Sequence, residues 1–111
     1  MKKLFFLLCL LWGISTWASL SGSVLSSQQF QTVTTTSTQY LALNISRAHL
    51  IVQNNGSTNV LLKFGSAHSA SEGLVIIPGG NYEPNIPPTA AIFLKSASGS
   101  NSVVIIEGVQ Q

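Results

Sequence analysis

Between residues 47 and 80 the chain passes through three short apolar segments, separated by a tight polar turn and a loop of small residues. That rhythm leaves room for little except β-structure. Residues 49–53 form the first segment, and Asn54, Asn55, Gly56 and Ser57 follow as a turn. Asn and Gly both tolerate the positive φ that tight hairpins require. Residues 60–64 return as the partner strand, with Lys63 toward water and Val60, Leu62 and Phe64 toward a core. Residues 65–73 form a loop of Gly, Ser, Ala, His and Glu. Residues 74–77 are wholly apolar and stop at Pro78, Gly79 and Gly80, since proline cannot continue a central ladder.

The rest of the chain keeps the same pattern. Residues 40–45 alternate, placing Leu41, Leu43 and Ile45 on one face. Tyr82 starts a short piece interrupted by Pro84, Pro87 and Pro88. Residues 90–95 read as another strand, residues 96–101 as a turn around Gly99, and residues 103–107 as the last strand. Residues 19–27 are Ser-rich and read as a flexible lead-in. Residues 28–38 are mostly Gln and Thr, with Phe30 and Val33 the only large apolar side chains, so the expectation there is an edge strand or disorder. No helical period follows the N-terminal segment. About seven or eight short antiparallel strands with regular turns predict one all-β domain over residues 39–111, a β-sandwich or jelly-roll-like fold.

The N-terminus reads differently. Lys2 and Lys3 precede an apolar run over residues 4–14, and small residues at Thr16 and Ala18 complete the pattern of a secretory signal helix cleaved after Ala18. An uncleaved anchor is the alternative. Stretched to Leu20 the run reaches about 17 residues, the short limit for spanning a bilayer, and Ser15, Thr16 and Ser19 dilute it. The expected location is therefore outside the cytoplasm, periplasmic or secreted, with membrane contact only through an uncleaved N-terminus. Cys9 has no lipobox around it.

Setting residues 1–18 aside changes the charge balance. The formal net charge of +2 rests on Lys2 and Lys3, while Arg47, Lys63 and Lys95 cancel Glu72, Glu83 and Glu107. A neutral domain lacks the clustered basic surface that nucleic acid requires, so no nucleic-acid partner is expected. The single Cys falls in the same segment, so disulfides cannot support the remaining domain.

Chemistry has few candidates. The chain has no Asp, and His49, His68, Glu72, Glu83 and Glu107 are the available acid–base groups. Nothing supplies a Gly-x-Ser-x-Gly elbow or an Asp to orient a histidine, although Glu could substitute. Glu72 and Glu83 could pair as glycosidase carboxylates, but their loop positions fit solubilising charges better. His68 and Glu72 have helical metal-ligand spacing, yet they lie in a Ser/Ala loop, and two ligands hold zinc poorly. Asn44-Ile45-Ser46 and Asn55-Gly56-Ser57 match the glycosylation acceptor pattern. Tyr40, Tyr82 and Phe93 are candidates for an aromatic platform that stacks on a sugar. The expectation is a protein that is not an enzyme and binds no cofactor or metal.

Several strands are apolar on both faces, whereas a lone sandwich should alternate. If Lys63 and Lys95 face outward, Leu61 and Phe93 do too. Either loops cover this face, or another copy or a larger assembly buries it. Leu61, Phe93 and Ile51 are the candidate interface residues.

The order of features from Arg47 onward resembles a group of small bacteriophage structural proteins. Arg47, Leu50, Val52, Asn54 and Gly56 match an Arg-x-x-Leu-x-Ile-x-Asn-x-Gly-like segment, and Val60, Phe64 and Gly65 match Val-x-x-x-Phe-Gly. Ile77, Pro78, Gly79 and Gly80 follow, then a Ser98-Gly99-Ser100 turn and a Val103, Ile105, Glu107 strand. The resemblance implies a β-sandwich packed into a virion or decorating it, with no catalytic residues to carry over. The signal segment is a departure, since most such proteins assemble in the cytoplasm. The reading that results is an exported, self-associating structural protein of a virion-like or cell-surface assembly. The alternative is a secreted module that recognises a surface glycan or protein.

Overall fold

The computed structural model describes residues 24–111. The expected signal segment, residues 1–18, lies outside them, as do residues 19–23 of the lead-in. The described chain forms eight strands and no helix: β1 Val24–Val33, β2 Thr38–Leu41, β3 Arg47–Asn54, β4 Val60–Phe64, β5 Leu74–Ile76, β6 Asn81–Tyr82, β7 Ile92–Ser96 and β8 Asn101–Gln110. Sheet A has the order β1-β8-β3-β6 and sheet B the order β2-β7-β4-β5, with every pair antiparallel. First pairs with last, second with seventh, third with sixth and fourth with fifth. A long hairpin rolled up on itself gives this order, the jelly roll.

The core lies between the sheets. Leu50 and Val52 of β3, Val103 and Ile105 of β8, Val60 and Leu62 of β4, and Ile92 and Leu94 of β7 are all buried there with Val33, Leu41 and Ile76. These residues sit at alternate positions, as the pleat dictates. Lys63 faces outward and Val60 and Leu62 inward, as expected. Phe64 turns out at the end of β4, 37% exposed, against the Tyr82 ring.

Two expectations need correction. β1 begins at Val24, inside the stretch read as flexible, and pairs with β8 along its whole length of ten residues. Its backbone gains a ladder even though Val33 is its sole buried side chain. The alternation over residues 40–45 breaks after Leu41, which is buried, while Leu43 and Ile45 stand exposed in the β2–β3 loop. On the outer face of sheet B, loop cover, one of the two alternatives, is what the chain adopts over Leu61.

Polar side chains fix both ends of the roll. At one end Gly56 lets the β3–β4 turn press against Asn101: a Cβ there would stand 1.9 Å from Asn101 Oδ1. Asn101 is 1% exposed; its Oδ1 accepts from Thr58 N–H, and its Nδ2 donates to Thr58 Oγ1 and Ser96 Oγ. At the other end the buried Arg47 guanidinium donates to Glu107 Oε2 at 2.8 Å and to the carbonyls of Ala42, Pro88 and Ala90. One arginine thus joins the β2–β3 loop, the β6–β7 loop and β8. A buried guanidinium is tolerable when its donors are satisfied in this way.

Candidate assembly surface

The two outer faces of the roll are built differently. On sheet B, Leu61 pairs with Lys95 on one side and Val75 on the other, and Lys63 pairs with Phe93. Residues 65–73 cross over this face as a strap. Lys63 Nζ binds the Glu72 carboxylate and the Ala67 carbonyl, and Lys95 Nζ donates to the Ala70 carbonyl at 2.8 Å. The far end of the strap reaches the β1–β2 turn. There His68 N–H donates to Ser37 Oγ at 3.0 Å, and the hydroxyl meets His68 Nδ1 at 2.6 Å.

For Leu61 the strap favours loop cover over burial in an assembly. This residue points outward but is only 6% exposed, because its own chain covers it. Phe93, on the same face, is half-buried. The strap could not be closed with ordinary residues throughout. Gly73 has φ +128°, and a Cβ there would meet the Leu62 carbonyl at 2.9 Å. Ala70 has φ 138°, a left-handed conformation that costs a non-glycine residue about 1–3 kcal/mol and persists only where surrounding contacts hold it.

Electrostatics agree with a closed strap. The Lys63 ammonium, then the Ser69 N–H and hydroxyl, hold the Glu72 carboxyl down at about 2. Burial pushes the His68 imidazole below its ordinary range, and Lys95 and Lys63 push it the same way. Its Nε2 is buried without a hydrogen-bond partner. The Leu61 carbonyl and Glu72 favour the protonated ring without outweighing that burial. His68 and Glu72 therefore serve as strap anchors, and their helical spacing has no helix to sit on.

The outer face of sheet A has no hydrogen-bonded strap like residues 65–73 among the described residues, although Val104 at its centre is only 9% exposed. Phe30 of β1 pairs with Val104, and Ile106 of β8 pairs with Ile51. Phe30 is 76% exposed, while Ile51 and Ile106 are half-buried. Ile51 thus does lie on an open outer face, beside residues that the sequence reading did not include. Phe30 sits in a Gln/Thr-rich stretch, where a single aromatic carried too little signal; the outward alternation of Phe30, Gln28 and Ser26 marks it once β1 is known.

The sheet edges differ as well. β6 is two residues long and runs into Pro84, and β2 is four residues long with a register shift at Tyr40. Both are short or irregular, as protected edges are. β1 presents ten residues with no proline and no charge. β5 exposes Leu74 and Val75, and Ile77 just beyond it is exposed too. β5 is itself only three residues long, so β1 is the one extended edge; the two lie on opposite sides of the roll, one in each sheet.

The proposed aromatic platform is dispersed. Tyr40 lies on β2 at one edge of sheet B, its hydroxyl donating to the Thr32 carbonyl at 3.1 Å. Tyr82 lies on β6 at the edge of sheet A on the other side of the roll, where burial raises its phenol. Phe93 is on the outer face of sheet B. His49 and Glu83 approach to 3.5 Å as an exposed pair, away from His68 and Glu72. Among the described residues no group of three or more His, Cys, Asp or Glu side chains could hold a metal ion. No helix among them is long and apolar enough to cross a membrane.

No family model and no curated protein sequence matches the chain. Its fold is similar to that of a subunit from Bacillus endospore appendages, described as a novel family of disulfide-linked pili. The two superpose with a TM-score of 0.52 at 12% identity, over 80% of this chain and 88% of that one. A crystal structure of protein NMB1881 from Neisseria meningitidis gives a TM-score of 0.47 at 10% identity, over 77% of this chain and 79% of that one. At these identities the likeness to the appendage subunit is one of fold: a small all-β domain.

Proposed function

We propose that this chain is an exported, non-enzymatic structural subunit that self-associates in a cell-surface appendage or virion-like assembly. The observation that carries this reading is the ten-residue edge strand β1 of sheet A, without proline or charge, with the short but exposed and apolar β5 of sheet B on the opposite side of one small domain. An edge of unpaired backbone N–H and C=O groups is a template for another strand, and natural proteins blunt such edges unless they use them. Two different edges on opposite sides make head-to-tail contacts, which extend into open arrays when the rotation does not close.

The neutral charge of residues 24–111 and the exposed apolar side chains beside both edges support the same reading. The similarity in fold to an appendage subunit, the use of jelly rolls in capsids, and the resemblance to phage structural proteins point in the same direction. The appendages of that neighbour are described as disulfide-linked. Residues 24–111 of this chain contain no cysteine, so contacts through this domain would be non-covalent. The glycan-binding alternative draws on Tyr40 and Tyr82, whose separation removes the shared platform it needs.

Sedimentation velocity across a concentration series, with electron microscopy of the concentrated protein, tests the reading. Growing head-to-tail species are expected, and Val75→Lys, which sets a charge on the half-exposed β5 edge, should abolish them while the domain stays folded. A wild-type protein that remains monomeric at every concentration would overturn it.

A further inference from the structure

Among the described residues, the three most exposed large apolar side chains outside the strands are Ile86 at 87%, Ile45 at 83% and Leu43 at 65%. They stand on two neighbouring loops at one end of the roll. Arg47 donates to Ala42 in the β2–β3 loop and to Pro88 and Ala90 in the β6–β7 loop, while Asn44 N–H donates to the Thr89 carbonyl at 2.8 Å. Pro84, Pro87 and Pro88 stiffen the second loop further. The tips are thus rigidly presented, and the order that makes them project was established in the fold rather than left to a partner. Arg47 and Glu107 are turned inward and paired, while Glu83, three residues before Ile86, is half-exposed beside His49 at 3.5 Å.

The chain also enters at this end. Val24 lies opposite Gln110 in the β1–β8 ladder, and Gln110 N–H donates to the Ser46 carbonyl at 2.7 Å, next to Ile45. The apolar run of residues 4–14 is separated from Val24 by residues 15–23, a reach of at most about 30 Å. If retained, an N-terminal segment of that kind would hold this end of the domain close to a bilayer.

We propose that the end of the roll presenting Leu43, Ile45 and Ile86 is a docking face for a lipid bilayer surface. A bilayer interface accepts isolated apolar tips flanked by small polar residues such as Asn44, Ser46 and Asn85, and asks for no matching socket. A protein partner is a poorer fit. The two loops, residues 42–46 and 83–91, fall short of the roughly 20–30 residues per side of a standard protein interface. Without a cationic group at the tips, binding rests on apolar insertion and not on anionic headgroups. Combined with the N-terminal run it would supply the two signals that stable membrane attachment needs. The inference stands apart from self-assembly through β1 and β5, which lie along the sides of the roll.

Amide hydrogen exchange of the exported protein, with and without neutral phosphatidylcholine vesicles, tests it whatever the state of the N-terminus. Severalfold slowing is expected in residues 42–46 and 85–90 on vesicles, and none in residues 55–58 and 97–100 at the opposite end. The slowing should vanish in the Ile45→Ser/Ile86→Ser variant and persist at high salt. Equal exchange with and without vesicles would overturn the proposal. So would protection that survives in the double variant, which would mean that the loops are merely held near the membrane. Protection that follows protein concentration without lipid would assign the face to a second copy, and protection that needs anionic lipid would shift the contact to Lys63 and Lys95. Either result overturns it.

Discussion

Sheets A and B each carry apolar side chains on their outer faces, yet the chain treats the two faces in opposite ways. Leu61 on sheet B is sealed by the strap of residues 65–73, held by Lys63, Lys95 and Ser37. On sheet A no such strap is bonded across Phe30 and Ile51 among the described residues; Phe30 is 76% exposed and Ile51 half-buried, and only the central Val104 is buried. The contrast separates two causes of an apolar outer residue. Where a loop with positive-φ positions and paired charges is built to hide it, the residue belongs to the monomer's own core. Where nothing hides it, and an undefended edge strand lies beside it, the residue is available to another copy.

The largest effect expected from breaking this contrast is at Leu61. Leu61→Ala should destabilise the domain by about 2–4 kcal/mol in urea unfolding, as for a buried leucine. A loss of association without a loss of stability would return Leu61 to the interface.

Acid should act on the strap next. The His68 pKa is depressed in the folded state, so below 6.5 the unfolded chain binds the proton more readily than the native one. The stability His68 supports is therefore complete above pH 6.5 and is lost as pH falls through its lower folded value. Glu72 adds a second step in the same direction, present above 4.5 and lost as pH falls toward about 2. Urea midpoints between pH 8 and pH 5 should fall in the wild type and stay flatter in His68→Gln. If both proteins respond alike, the strap is not anchored through this ring.

Smaller effects belong to the open face. Ile51→Ser, at a half-buried position, should cost less than about 1 kcal/mol. A thermal-melt shift as large as that of Leu61→Ala would show that sheet A's outer face is core after all.

The strands were readable from the chain because short apolar runs, turns such as Asn55-Gly56, and Pro78-Gly79-Gly80 leave few alternatives. The inward set of β4 followed from one charged neighbour, Lys63. What could not be read were relations between distant segments. Leu61 looks exposed from β4 alone, and only the strap anchored at Ser37, 31 positions before His68, hides it. β1 was missed in part because its stability comes from backbone pairing with β8, while its Ser and Gln side chains carry no apolar period. Arg47 stood out as part of a motif, but its bonds to Pro88, Ala90 and Glu107 depend on the roll bringing both ends of the chain together. Tyr40 and Tyr82 were grouped by residue type, and topology places them on opposite sides.

The most direct measurement is sedimentation velocity of Phe30→Lys beside the wild type, with unfolding followed on the same samples. Phe30 is 76% exposed, so the substitution should change stability by no more than about 0.5 kcal/mol while reducing the wild-type assemblies to monomers. A Phe30→Lys protein that is folded and still assembles as the wild type does would contradict the claim that the uncovered face and edge of sheet A join the copies.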